Sequence, residues 1–395
     1  MESNTQLQDK ALAIFRALLQ VNSTNPGGSE ENMVHCILAL LKKYGAPATD
    51  KQVQILHHTA GRASMVLTLP GQSCGKSVGF AGHLDTVPVS DPANWRCGPF
   101  SGTVNGTAVT SRGAADMKGG LTAMLLLYLS YATNRQKPPV TLRFYFTADE
   151  ESGGLGVSAL RDAGAFDGLS FLFICEPTAC TPGVCEKGCM WTKASVHGKS
   201  SHASMPQNGI NALELGTDFL KEAQKRICAC VPVHPLLGSN TCCMTAVSSG
   251  IKINMIPDFA DFSVDTRFLP TISSTSLKAI FEQSARQAEE KQQGLQIHLR
   301  YFNCREALET DSSHPGVSAA AVLCRQEGSS SARSGVLFYT DASLVCPYKP
   351  KLPFLILGPG NPAQCHCTNE TADWTDIVRA FHVYRKWTDT CVSFL

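Results

Sequence analysis

An alternating apolar run, Val140-Thr141-Leu142-Arg143-Phe144-Tyr145-Phe146-Thr147-Ala148, stops abruptly at three consecutive acids, Asp149-Glu150-Glu151, followed by Ser152-Gly153-Gly154. The run predicts a buried strand, and the glycines predict a loop. A strand tip that delivers three adjacent acids is unusual, because like charges so close repel and some are driven to protonate unless cations compensate them. A bound metal is the usual compensation. It lets two neighbouring carboxylates divide the labour, one as ligand and one as base. The fold that offers such a place is an α/β sheet, whose carboxyl edge is where ligands bind.

The same geometry recurs along the chain. The short apolar stretch Lys76–Gly82 ends in His83-Leu84-Asp85-Thr86-Val87-Pro88. Residues two apart in an extended chain point to the same side, so Asp85 is expected to place its carboxylate on the His83 ring and fix its tautomer. Arg112-Gly113-Ala114-Ala115-Asp116-Met117-Lys118-Gly119-Gly120 leads into a helix-like run from Leu121 to Ala132. The apolar run Leu169–Cys175 ends in Glu176-Pro177-Thr178, and Phe354–Leu357 gives way to Gly358-Pro359-Gly360 and then His366. Strand ends carrying His, Asp, Glu, Glu and His thus follow one another in order.

The apolar periods also set the organisation. Leu7–Leu19 and Glu31–Lys43 read as amphipathic helices, and strands then alternate with helices through Cys175, which implies a sheet with helices on its faces. The texture changes after that. Met190–His197, Thr241–Ser248, Phe259–Phe268 and Leu295–Phe302 read as strands, and Asn211–Arg226 and Ser274–Glu290 as helices. Four strands with two helices predict a smaller α+β sandwich, over 187–300, inserted into an α/β domain made of 1–186 and 301–395. The chain returns to the first domain for a helix over Ser313–Cys324, a strand around Val336-Leu337-Phe338, and a terminal helix over Asp373–Trp387.

With these motifs in place, the chain resembles the co-catalytic zinc aminoacylase/carboxypeptidase group, the M20 peptidases. The resemblance rests on His83-Leu84-Asp85-Thr86-Val87-Pro88, Gly113–Gly120, Asp149-Glu150-Glu151-Ser152-Gly153 and Glu176-Pro177-Thr178, in that order and spacing. Lys187-Gly188, His197–Ser204 and Gly358-Pro359-Gly360 with His366 are similar to the acetylornithine deacetylase and succinyl-diaminopimelate desuccinylase branch. It extends from about residue 10 to the end. The resemblance implies a mixed-sheet zinc-peptidase-like catalytic domain, with the inserted domain as lid and homodimer interface. It implies two zinc ions, cobalt or manganese being accepted by similar donors. His83, Asp116 and Glu176 would hold one, and Asp116, Glu151 and His366 the other, with Asp116 bridging. Glu150 would act as general base on a water shared by the metals. His202 would stabilise the oxyanion from the partner subunit. Asn254 falls in the substrate loop, and Arg267 at a position that grips a substrate carboxylate. A cis peptide is expected between Asp116 and Met117.

The implied function is hydrolysis of the amide bond of N-acyl-L-amino acids, as in acetylornithine deacetylase. The alternative is a metallo-carboxypeptidase or dipeptidase of the same fold, and a third class is a non-enzymatic relative. Retention of Glu150 and every ligand position weighs against the last. Each residue also has a plainer reading: Asp116 as a helix N-cap, Glu176 as a strand terminus, His202 as a surface histidine, Arg267 as one half of a strand salt bridge. A formal net charge of +1 argues against a nucleic-acid partner. No apolar stretch approaches the ~18 residues of a membrane span. Seventeen cysteines, an odd number, and a polar N-terminus without a signal pattern lead us to expect free thiols in the cytoplasm. Cys365 and Cys367 flank His366 and, in an extended segment, would point away from it.

Overall fold

The computed structural model describes residues 3–73 and 75–395, which divide into two compact units. The first comprises the chain up to Val184 with Thr310–Ser334 and Thr340–Leu395; the second comprises Cys185–Glu309 with Gly335–Tyr339. Sequence reading leaves 301–309 and 335–339 with the first domain. The first stretch falls in the second unit because the strand Gln296–Arg305 runs through the expected boundary at 300 and stays paired to Gly188–His197, and the other is tied there by the Lys187 amide, which donates to the Val336 carbonyl at 3.1 Å.

The first unit is built on a mixed sheet. Four strands, Thr141–Thr147, Ser77–His83, Phe171–Ile174 and Phe354–Ile356, lie side by side and parallel. Ala63–Leu69 and Val53–His57 extend the sheet antiparallel beyond Thr141–Thr147. Strand Ser77–His83 is buried along its whole length, as expected of a parallel strand covered on both faces. One covering helix, Gly119–Ala132, is apolar almost all round and correspondingly buried. It packs against the terminal helix Thr375–Thr390, whose Trp387 meets Phe171 and Phe173 at ring-centroid distances of 4.9 and 4.8 Å. Each such buried aromatic contributes roughly 1.5–3 kcal/mol. Helix Gly119–Ala132 comes so close to the end of Phe171–Ile174 that a Cβ on Gly120 would lie 2.1 Å from the Cys175 carbonyl oxygen. Glycine is needed there, and the contact fixes the strand end that leads into Glu176.

The second unit is a four-stranded antiparallel sheet in the order Thr241–Ser249, Phe259–Phe268, Gly188–His197, Gln296–Arg305. Helices Ala212–Ala229 and Ser274–Lys291 cover one face, where Ala194, Val196, Phe219, Phe262, Leu277 and Phe281 form the core. Both helices begin at side-chain caps: Asn211 accepts from Leu213 and Glu214, and Ser273 from Ser276.

Two elements differ from expectation. The strand near 336 covers only Ser334–Val336, since Leu337 is exposed beyond it. The terminal helix starts at Thr375 rather than Asp373, because the Asp373 carboxylate accepts from the Thr375 amide and hydroxyl at 2.9 and 2.7 Å and closes a turn. No described helix is long and apolar enough to cross a membrane.

Candidate metal centre

Parallel strands deliver their carboxyl ends to one edge, and the register makes those ends level. His83 stands opposite Thr147, and Ala81 opposite Ile174, so the segments holding Glu150, Glu151 and Glu176 leave the sheet beside His83. Ile356 lies opposite Ile174, which brings the Gly358-Pro359-Gly360 turn, and then His366, to the same edge.

Asp116 sits between the two imidazoles. Its Oδ1 lies 3.0 Å from His83 Nε2, and its Oδ2 lies 3.2 Å from His366 Nε2. Glu176 Oε1 is 3.6 Å from His83 Nε2, and Glu151 Oε2 is 3.2 Å from His366 Nε2. Ligand atoms of His83, Asp116 and Glu151 also fall within 4.8 Å of one another. The Asp116–Met117 peptide is cis, as expected. Asp116 does not cap the following helix, which starts from Lys118 with no side-chain cap.

His83 Nδ1 is 2.9 Å from the Asp85 carbonyl oxygen. A carbonyl only accepts, so Nδ1 carries the hydrogen and Nε2 faces the carboxylates, an approach made favourable by a proton or a cation. Burial alone would pull the His83 pKa down, but Glu176, Asp116 and Asp85 hold it well above the usual histidine value. Hydrogen bonds to Asp116 and Glu151 raise His366 to about 10. Burial pushes Glu150 and Glu176 well above the carboxylate range, and Glu151 upward as well. Asp116 alone is lowered: burial works against it, but the hydrogen bonds from His366 and His83 prevail.

The Asp85 carboxylate is not the ring's hydrogen-bond partner, which corrects the sequence expectation. It lies 3.6 Å from Nδ1 and instead accepts from the Glu150 amide at 3.1 Å and the Glu151 amide at 3.2 Å. The strand ends at His83 and the chain bends at Leu84, so the same-side rule for extended residues no longer applies. Asp85 therefore clamps the backbone of the acidic tip. The third acid of that tip leaves the cluster: Asp149, with φ 66°, accepts from Asn25 Nδ2 at 2.7 Å and from the Leu155 amide at 3.3 Å.

Sequence reading missed three groups here. Glu370, buried, accepts from the amides of Gly113, Ala115 and Asp116 at 3.0, 2.7 and 3.0 Å, and from Arg112 Nη1 at 2.7 Å. It holds the loop that carries Asp116, and the pairing of Thr371 with Thr110 brings it there. Asn25 links the Asp85 and Asp149 carboxylates. Asp341, buried, accepts from Thr147 Oγ1 at 2.5 Å and adds negative potential at Glu150 and Glu176. The position of Glu370 four residues after His366 is the only hint of this in the sequence.

The segment around His366 is a turn rather than an extended strand; His366 has φ 65° and its side chain is 53 % exposed. The alternation of an extended chain therefore does not apply to Cys365. Burial and the carboxylates of Asp116, Glu176, Glu370 and Glu151 push its thiol pKa up.

In the second unit, Ser201–His202 pairs with Met255–Ile256, and the Ala203 amide donates to the Asn254 carbonyl at 3.0 Å, so His202 and Asn254 are neighbours. His202 is exposed, and its Nδ1 accepts from the Ser204 amide and hydroxyl at 3.1 and 2.7 Å. Arg267 makes the strand salt bridge: Nε and Nη2 donate to Asp265 at 2.8 and 3.1 Å.

The donor set fits divalent metal. Asp116, Glu150, Glu151 and Glu176 are four acids against two imidazoles, His83 and His366, so without a cation some of the acids must hold protons, in line with the upward shifts of Glu150, Glu151 and Glu176. Glu150 is 6 % exposed, and its Oε1 has no hydrogen-bond partner among the described residues. Oxygen and nitrogen donors without thiolate are the set a catalytic zinc or related ion takes.

The sequence profile of Peptidase family M20/M25/M40 matches residues 79–390. A probable succinyl-diaminopimelate desuccinylase of Staphylococcus epidermidis is 27% identical over 389 residues, covering 92% of this chain and 93% of that protein. An acetylornithine deacetylase of Vibrio campbellii is 26% identical, covering 91% and 92%. Among solved structures, an M20 family metallo-carboxypeptidase from Sulfolobus solfataricus superposes with a TM-score of 0.78 over 96% of this chain and 98% of that one, at 14% identity, which speaks to the fold. The chain belongs to Peptidase family M20/M25/M40 and is a metallohydrolase acting on amide or peptide bonds.

Proposed function

We propose that this protein hydrolyses the amide bond of N-acyl-L-amino acids, with Glu150 as general base and then general acid. The observation that carries the reading is the buried Glu150 carboxylate, whose Oε1 has no partner at the edge of the His83–Asp116–Glu176 and His366–Asp116–Glu151 groups. His83, Asp116 and Glu176 would hold one divalent ion, and Asp116, Glu151 and His366 a second, zinc being the first choice. Bound there, such ions supply positive charge and Lewis acidity toward the scissile carbonyl and an attacking water.

The chain's own residues do the rest. The Asp85 clamp on the Glu150 and Glu151 amides fixes the acidic tip. From that tip, Glu150 Oε1 takes a proton from the attacking water and returns it to the leaving amine nitrogen. Burial and the neighbouring acids raise its proton affinity, which suits a group that must hold a proton between the two steps. His202 is the donor we assign to the developing oxyanion, from a partner subunit, with Asn254 beside it. Similarity over nearly the whole length to proteins named as a probable succinyl-diaminopimelate desuccinylase and an acetylornithine deacetylase supports N-succinyl and N-acetyl amino acids rather than dipeptides as substrates. Homodimerisation through the second unit is supported by its edge strand Thr241–Ser249, which exposes Met244 and Val247. A monomeric mass by light scattering would remove it. The described cysteines are all free, which supports the cytoplasm.

The test is amine release by zinc- or cobalt-loaded protein from N-acetylornithine, other N-acetyl and N-succinyl amino acids, and dipeptides. Release from the N-acyl substrates, reduced about 10²–10⁴-fold in Glu150→Ala, is the expected result. Preference for dipeptides would replace it with the peptidase reading.

A further inference from the structure

We infer that Arg305 forms the floor of a carboxylate-binding site on the second unit's sheet, on the face away from its two helices. The register puts the group there. Cys189 on the central strand is opposite Arg267 on one neighbour and Arg305 on the other. Residues in register share a face, so two guanidinium groups flank one thiol. A β-bulge makes this so. Phe302 is opposite Trp191, and regular pairing would put Cys304 opposite Cys189. An extra residue, with Asn303 at φ 46°, puts Arg305 there instead. Without it Arg305 would join Leu299 and Tyr301, which pack toward the helices. Bulges that re-aim a side chain are common beside functional sites.

The re-aimed group is then left unneutralised. Arg305 is 1% exposed, and neither Nη1 nor Nη2 has a hydrogen-bond partner among the described residues. Only Nε is engaged, donating to Asn303 Oδ1 at 3.0 Å. The Tyr339 ring lies over the guanidinium, 4.9 Å from Cζ to the ring centroid. Arginine stays charged in proteins, so it cannot escape burial by losing a proton. Burying an unpaired charge is costly unless something pairs it. The neighbouring charges are already committed. Arg267 is held two-pronged by Asp265, and Lys187 Nζ donates to the Ser239 carbonyl at 2.6 Å. One remaining cation with two free nitrogens in a planar fork matches one carboxylate. A phosphate would call for more donors than remain. Tyr339 belongs to the irregular segment after Val336, and its ring must swing aside for entry.

The carboxylate comes either from the substrate or from a separate metabolite, and two arms separate these. The first arm is calorimetric titration of succinate, with succinamide as neutral control, into the intact protein, metal-loaded and again after chelation. Binding that survives chelation does not depend on the metal or on amide hydrolysis. Wild type is expected to bind succinate and not succinamide. Arg305→Met should weaken binding at least tenfold, and Arg305→Lys, which keeps the charge and loses the fork, should fall between. The ligand-free Arg305→Met protein should melt about 2–4 °C higher, because an uncompensated buried charge is gone; a purely structural arginine would give a lower melting point. Equal succinate affinity in wild type and either variant, or no binding by wild type, would overturn the site. The second arm alone rests on the hydrolase reading. Inhibition by succinate that competes with the N-acyl substrate, and is lost in Arg305→Met, identifies the substrate's own carboxylate. Inhibition or activation that does not compete identifies a separate effector.

Discussion

The two units handle buried charge in opposite ways. In the first, acids are gathered and most are tied to the backbone or to an imidazole: Glu370 accepts four hydrogen bonds, Asp85 clamps the amides of Glu150 and Glu151, and Asp116 is shared by His83 and His366. In the second, one guanidinium is neutralised by Asp265 and the next, on Arg305, has no acid bonded to it among the described residues. The contrast separates charges that build a site from charges that wait for a ligand. Glu370 and Glu150 make the same distinction within one unit. Both are buried carboxylates, but Glu370 is satisfied on both oxygens, and Glu150 keeps one oxygen without a partner among the described residues.

If Glu370 is scaffold, its removal should have the largest effect on stability. Glu370→Ala leaves three amides and the buried Arg112 guanidinium unpaired, and is expected to cost about 3–5 kcal/mol in denaturant unfolding. Metal affinity, followed by titration, should fall with it, because the amide of Asp116 loses its anchor. A loss below about 1 kcal/mol would mean that Glu370 is not the scaffold of this loop.

The acid cluster makes the metal-free protein sensitive to pH in a defined direction. His366 and His83 have folded pKa values raised above the unfolded value, so their contribution is fully present below about 6.5 and lost as pH rises; for His366 the loss extends to about 10. Glu150, Glu151 and Glu176 are also raised, so the folded state holds more protons than the unfolded one and the sign is the same. Asp116, lowered, acts only in acid, where its stabilisation is lost as pH falls below about 4. The melting temperature of chelated protein should therefore fall between pH 6.5 and 10, and added zinc should flatten the slope by replacing the protons. A flat profile without metal would contradict the extra protons assigned to the folded cluster.

The smallest effect belongs to the neutralised pair. Asp265→Asn keeps an acceptor for Trp191 Nε1 and removes only the charge facing a part-exposed Arg267, so it should cost under about 1 kcal/mol. It also leaves a second unneutralised cation beside Arg305, and succinate should bind more tightly. Unchanged affinity would show that the two guanidinium groups act separately.

Much of this was legible without coordinates. Period-two runs ending in His83, Glu150-Glu151 and Glu176 announce parallel strands and their functional edge, since side-chain alternation is a local property of the chain. The second unit's strands and helices were read within a few residues from their own apolar periods; that Asn211 and Ser273 cap the two helices is a finding of the structure. What failed were statements about direction. The i, i+2 rule aimed the Asp85 carboxylate at the His83 ring, but the chain bends at Leu84; the extended segment assumed for Cys365, His366 and Cys367 is a turn. Val336-Leu337-Phe338 looked like a strand because it is apolar, yet only Ser334–Val336 finds a partner.

The sequence by itself determined which residue types stand at the strand ends, and with them the family and its metal chemistry. Only the tertiary structure decided which buried charges are satisfied. Glu370 is 254 residues from the Asp116 amide it holds, and Arg305 faces Cys189 only because a bulge shifts the register by one residue. Hydrogen-bond satisfaction is a property of neighbours brought together by folding, and no local pattern of residues encodes it.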